Sequence, residues 1–90
     1  MKTLFYFEVI ILYIEITVDL KNYQGDCFEL RLSNYYTVKE LIDIVWQVKS
    51  ISTPPKDGFW VRIPNKQIVL SGNEKLESNG ITSGDRLEIL

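Results

Sequence analysis

From Leu12 to Leu20 the chain alternates in polarity at every step. Leu12, Ile14, Ile16, Val18 and Leu20 fall on one face, and Tyr13, Glu15, Thr17 and Asp19 on the other. A period of two with β-branched residues is the pattern of a half-buried strand. Asp26 to Leu32 alternates again, with Phe28, Leu30 and Leu32 inward. Between the two stretches, Lys21-Asn22-Tyr23-Gln24-Gly25 reads as a turn, where Asn and Gly tolerate positive φ. Any fold for this chain therefore starts from an N-terminal hairpin with one apolar face.

Thr37 and Glu40 have the spacing of a capping box, in which each side chain satisfies the other residue's free N–H. Val38, Leu41, Ile42, Val45 and Val48 follow at helical spacing as one apolar stripe, with Trp46 at its edge. Thr53-Pro54-Pro55 cannot continue a helix, so it ends near Ser50. Phe59 to Ile63 reads as a third strand, with Trp60 and Arg62 outward. Pro64-Asn65-Lys66 turns the chain into a short strand from Gln67 to Leu70, which Ser71-Gly72-Asn73 breaks. Leu76 and Ile81 anchor an irregular connection. Ser83-Gly84-Asp85 then turns into a last strand, Arg86 to Leu90. The order β-β-α-β-β-β describes an α+β fold, one helix packed across a mixed sheet. The expected core comprises Ile14, Ile16, Val18, Phe28, Leu30, Leu32, Val38, Leu41, Ile42, Val45, Val61, Ile63, Leu76, Ile81, Leu87 and Ile89.

Ninety residues, 46% of them apolar, suffice for one such core and not for two. A net charge of -2 argues against a nucleic-acid surface, which needs a basic excess. The chain has one cysteine and no histidine. An internal disulfide and a Ser-His-Asp or Cys-His set are therefore impossible, and a zinc site would have to be built from carboxylates. Cys27 is expected to be a structural thiol on a strand. The glycines are isolated, so no phosphate-cradling loop is present. Glu40 and Asp43 fall on the polar helix face as a solvated pair. The chain is accordingly expected to have no catalytic, metal or cofactor site, and to act by binding.

The stretch Leu76-x-x-x-x-Ile81-x-x-Gly84-Asp85-x-Leu87-x-Ile89 resembles the last third of ubiquitin-like β-grasp domains. A more specific likeness lies in Ile14-Glu15-Ile16-Thr17-Val18-Asp19-Leu20-Lys21, Leu41-Ile42-Asp43-Ile44-Val45-Trp46-Gln47, Pro54-Pro55 with Gly58-x-Trp60-x-Arg62, and Gly80 to Leu90. Over about Tyr13 to Leu90 the chain resembles the YukD/EsaB family, small cytoplasmic ubiquitin-like proteins encoded with bacterial type VII (ESX-like) secretion systems. The resemblance implies a ubiquitin-like β-grasp and an accessory, adaptor-like role in the secretion of small helical Trp-x-Gly proteins. It also implies protein partners within that machinery, with no nucleic acid and no membrane span. The alternative is a generic β-grasp scaffold for another cytoplasmic partner or a small ligand. Ubiquitin-type modifiers and sulfur carriers of this fold end in a flexible Gly-Gly tail. This sequence ends Arg86-Leu87-Glu88-Ile89-Leu90, so neither chemistry is expected. The apolar patch of ubiquitin's exposed sheet face aligns with Tyr23, Arg62, Glu88 and Leu90, two of them charged, so ordinary ubiquitin receptors are not expected to bind.

The apolar run from Leu4 to Ile14, interrupted only by Glu8, is too short to span a membrane and lacks a signal-peptide cleavage pattern. Residues 1–11 are read as an N-terminal extension to a domain over 12–90. It is expected to be dispensable for folding and to be an upstream read-through, with initiation near Leu12. The candidate protein-contact residues are Tyr13, Thr17, Trp60 and Arg62, an aromatic–basic patch surrounded by Glu15, Asp19 and Glu88, with Trp46 as a second site. Against that stands a Trp60 covered by the extension or by the Pro54-Pro55 loop. The sequence leaves that choice open.

Overall fold

A computed structural model describes residues 12–90, and the expectations for residues 1–11 lie outside them. The elements are β1 (Tyr13–Asp19), β2 (Cys27–Ser33), α1 (Val38–Lys49), β3 (Val61–Ile63), β4 (Ile68–Leu70) and β5 (Arg86–Ile89). They build one sheet in the order β2-β1-β5-β3-β4. β1 pairs antiparallel with β2 and parallel with β5, while β3 lies antiparallel to both β4 and β5. The alternation of the two hairpin strands fixes their register, with Ile16 opposite Leu30 and Val18 opposite Phe28.

The inner face of the sheet buries Ile14, Ile16 and Val18 from β1, Val61 and Ile63 from β3, and Leu87 and Ile89 from β5. α1 supplies Val38, Leu41, Ile42 and Val45 to the same core. The capping box forms: the Glu40 N–H donates to Thr37 Oγ1 at 3.2 Å and the Thr37 N–H to Glu40 Oε1 at 2.9 Å. The next unpaired donors of the first turn find backbone carbonyls, Val38 N–H that of Glu74 (2.9 Å) and Lys39 N–H that of Gly72 (2.8 Å). At the other end Ser50 takes a left-handed conformation (φ 52) and stops the helix. Leu76 and Ile81 are both buried, as their spacing suggested.

Several expectations need correcting. Phe28 and Leu30 are only partly buried, because β2 is an edge strand and its inner side chains meet the helix from one side alone. Val48 ends the expected helical stripe but is 60% exposed, since in the last turn of α1 it is Lys49, over the Phe28 ring at 4.6 Å, that faces the sheet. Leu20 and Leu70 join the core instead. β3 starts two residues late because Phe59 adopts φ 50, which no strand residue can hold. β4 starts one residue late for the same reason, with Gln67 at φ 56.

Gly72 lies where β3's approach, the exit of β4 and the start of α1 meet. A Cβ placed there would stand 2.8 Å from Phe59 Cβ. We expect Leu41→Ala to lower the unfolding free energy by ~2–5 kcal/mol in denaturant titration, the cost of a fully buried leucine. Gly72→Ala should lower it by about 1–3 kcal/mol through overpacking and should shift the tryptophan emission spectrum, because Phe59 leads directly into Trp60.

Candidate functional site

Each strand's alternation sends one set of side chains to the face of the sheet opposite α1. The registers align five of them in one row across all strands: Cys27, Asp19, Glu88, Arg62 and Val69. Asp19 and Glu88 lie on this outer face and yet are buried. Lys21 Nζ (3.5 Å), Arg62 Nη1 (3.4 Å) and the Asn22 amide (3.4 Å) close over Glu88. Arg86 Nη2 (2.9 Å) and the Lys21 backbone N–H (2.9 Å) close over Asp19. The carboxylate of Glu88 is 6% exposed, whereas the Lys21 and Arg62 side chains above it are 59% and 50% exposed. Solvent therefore meets the cations and not the acids. This part of a net acidic chain presents positive charge, which neither composition nor sequence order shows.

Trp60 sits beside this row, two residues before Arg62 and level with Leu90. It precedes β3, and its carbonyl accepts from the Leu90 N–H at 3.0 Å. Its indole packs against Gly58, where an added Cβ would come within 2.3 Å of Nε1. The ring is thus braced from below while the residue stays 47% exposed, and Val69 on the same outer face is 49% exposed. Among the described residues neither the Pro54-Pro55 loop nor any other segment buries it.

The five candidate contact residues are not brought together. Trp60 and Arg62 share one end of the sheet face with Val69 and Lys21, while Arg86 stands level with Thr17 and reaches toward Asp19 and Cys27. Tyr13 lies six residues before Asp19 on β1, about 20 Å away along the strand. It is exposed, with Arg31 stacked on its ring at 5.9 Å. Thr17 stands between, pairing with Arg86 and donating its hydroxyl to Glu29 Oε2 at 2.9 Å. Trp46 is partly buried: its ring meets Tyr23 edge-on at 4.9 Å and its indole N–H donates to the Thr53 carbonyl at 2.7 Å. That pair ties the Pro-containing loop to the helix beside a groove of 390 Å³ lined by Tyr23, Ile51, Pro54 and Lys56. Sequence reasoning missed Val69 and Lys21 near Trp60 and Arg86 over Asp19, because these neighbourhoods depend on cross-strand register. It also placed Glu88 on the surface around the patch, where it is buried. Cys27 opens β2 and is exposed, so it is not a packing thiol. The fold puts Arg86 Nη2 3.1 Å from its sulfur, a basic neighbour the local sequence does not reveal. Among the described residues no group of three or more His, Cys, Asp or Glu could hold a metal ion.

Burial alone would raise the carboxyl pKa of Asp19, but the hydrogen bonds from Arg86 and the Lys21 N–H and their charges outweigh it, and the net shift is downward. Asp85 behaves alike: burial is overcome by the Thr82 N–H, Asn65 and Lys66. A carboxyl depressed in the folded state contributes stability above its unfolded pKa of about 3.9, lost as pH falls through the folded value. The melting temperature should therefore be flat from about pH 7 to 5 and fall below about pH 4. Asp19→Asn should lower it at neutral pH and reduce that acid-side drop, as thermal scans across pH would show.

A family model described as "WXG100 protein secretion system (Wss), protein YukD" matches residues 13–89. The ESX secretion system protein YukD of Bacillus subtilis (strain 168) is 58% identical over 79 residues, covering 88% of this chain and 100% of that one. Among solved structures, a ubiquitin of Caldiarchaeum subterraneum superposes with a TM-score of 0.65 at 25% identity, over 86% of this chain and 90% of that one. A ubiquitin-like domain from Arabidopsis thaliana gives 0.69 at 18% identity, over 99% and 87%. The last two establish the ubiquitin-like β-grasp and nothing finer. No helix of the described residues is long and apolar enough to cross a membrane. With a family model spanning nearly all of β1 to β5 and a relative this similar, the chain belongs to the YukD family of the WXG100 (ESX, type VII) protein secretion system.

Proposed function

We propose that this chain is a non-conjugated, non-enzymatic adaptor of a cytoplasmic secretion assembly, and that it binds a protein component of that assembly through the Trp60 end of its outer sheet face. The observation that carries the proposal is the pairing of a half-exposed indole with a rigid bed. Gly58 braces the ring, the Gly72 N–H donates to the Gly58 carbonyl at 2.9 Å, and Phe59 is locked between them. A pre-positioned Trp loses little conformational freedom on binding, and Trp and Arg are enriched where interfaces concentrate their energy. Val69 widens the apolar contact, and Arg62 and Lys21 place their cation heads over Glu88 beside it. Tyr23 and Trp60 hold Leu90 against the sheet through its carbonyl (2.8 Å) and N–H (3.0 Å), which fixes β5 beside the Trp60 anchor.

Trp60→Ala should change the unfolding free energy by less than about 1 kcal/mol, as half-exposed positions do, while abolishing partner capture and secretion in the native host. Arg62→Gln should weaken capture and make it less sensitive to salt, because it removes an exposed charge. Lys21 and Asn22 still hold Glu88 in that variant. A Trp60→Ala protein that is fully stable and fully active would refute this face and direct attention to Trp46 and the helix. A ladder of high-mass conjugates on a blot would refute the non-conjugated reading.

A further inference from the structure

β2 is the longest strand edge among the described residues that has a neighbour on one side only. Its hydrogen-bond phase is set at both ends of the hairpin. The Leu20 N–H donates to the Asp26 carbonyl and the Asn34 N–H to the Leu12 carbonyl, each at 2.9 Å. Antiparallel ladders alternate bonded and non-bonded pairs. The bonded pairs between these ends are therefore Val18–Phe28, Ile16–Leu30 and Ile14–Leu32. Phe28, Leu30 and Leu32 spend their backbone groups on β1, and Cys27, Glu29 and Arg31 aim theirs outward, as does Ser33, whose carbonyl already accepts from the Tyr36 N–H at 3.4 Å. Seven residues of such an edge are a template for another strand, whereas the opposite edge, β4, has only three.

We propose that β2 pairs antiparallel with β2 of a second copy of this chain about a two-fold axis at Leu30, joining the two sheets into one. The free backbone groups lie on odd-numbered residues alone, so only registers that set odd opposite odd are open. Centring the axis on Glu29 would oppose Glu29 to its own copy, and centring it on Arg31 would oppose Arg31 to its own. Centring it on Leu30 sets Glu29 opposite Arg31 and Arg31 opposite Glu29, and alone of the three keeps all seven residues paired. Both side chains are exposed on the outer face; Glu29 engages Thr17 through Oε2 only, and Arg31 rests on the Tyr13 ring at 5.9 Å with its guanidinium N–H groups still to be paired. On the inner face the same register puts Leu30 against Leu30 and Phe28 against Leu32. It covers the apolar surface that leaves Phe28 and Leu30 only partly buried in a single copy. Cross-strand pairs of unlike charge and of apolar side chains are what stabilise a sheet, and like charges directly opposite oppose it. A two-fold axis is the symmetry such a self-complementary patch requires. This surface lies on the far side of β1 and β5 from Trp60 and does not depend on the proposed partner contact.

The test is sedimentation equilibrium of the full chain in reductant, which removes any crosslink through exposed Cys27. The expected result is a mass rising from one chain to two with concentration. Glu29→Arg and Arg31→Glu should each weaken dimerisation by about tenfold or more, with circular dichroism unchanged. The double charge exchange should restore it, and so should mixing the two single variants, whose charges are then complementary across the axis. A single-chain mass up to about millimolar concentration would overturn the proposal. So would single variants that dimerise like the parent, or a mixture that does not recover. Capture of a foreign extended peptide by a chain that stays monomeric would assign this edge to another protein's strand and overturn self-pairing.

Discussion

The backbone of Gly72 is bonded in two directions at once: its N–H donates to the Gly58 carbonyl at 2.9 Å and its carbonyl accepts from the Lys39 N–H at 2.8 Å. Three segments distant in sequence meet there, the lead into β3, the exit of β4 and the first turn of α1. Contact this close leaves no room for a Cβ. The chain then continues along the helix start, with Glu74 accepting from Val38 and the Leu76 N–H donating to the Tyr36 carbonyl at 3.0 Å. Helix, sheet and irregular connection are thereby registered against one another by main-chain bonds. Phe59 and Trp60 inherit their positions from that junction.

The outer face of the sheet follows a second constraint. A carboxylate excluded from water must be paired, or it neutralises itself. Asp19 and Glu88 are excluded because long basic side chains fold over them. Their neighbours are therefore obligatory, and the layer that solvent meets is cationic. The aligned apolar patch of ubiquitin is replaced by this layered arrangement, with Trp60 and Val69 at its margin. On the proposed reading, Trp60 is the small rigid anchor within this charged surround.

The two sheet edges left unpaired among the described residues differ in consequence. β4 is short and carries little exposed backbone. β2 carries a full alternating strand with opposite charges two residues apart, and that spacing makes the edge complementary to itself. Edge strands that lack lysines, prolines or bulges invite pairing. β2 has no proline, no lysine and a regular register from end to end.

The sequence by itself determined the elements and their order, because those rest on local rules: period-two alternation in β1 and β2, the Thr37–Glu40 box, the Pro54-Pro55 stop and the Leu76 and Ile81 spacing. It misjudged Val48, Phe28 and Leu30, since a side chain's polarity says which face it takes and not how far the opposing layer extends over it. It placed Trp60 on a strand, where a positive φ at Phe59 displaces it, and it gathered Tyr13, Thr17, Trp60 and Arg62 into one patch. Tertiary structure alone decided that Tyr13 stands a strand's length away from the other three's neighbour Asp19, that Val69 and Lys21 share Trp60's end of the face while Arg86 closes over Asp19, and that Glu88 is hidden. The reason is physical: residues that are neighbours across a sheet are set by strand order and register, which arise from long-range backbone pairing and leave no trace in local spacing.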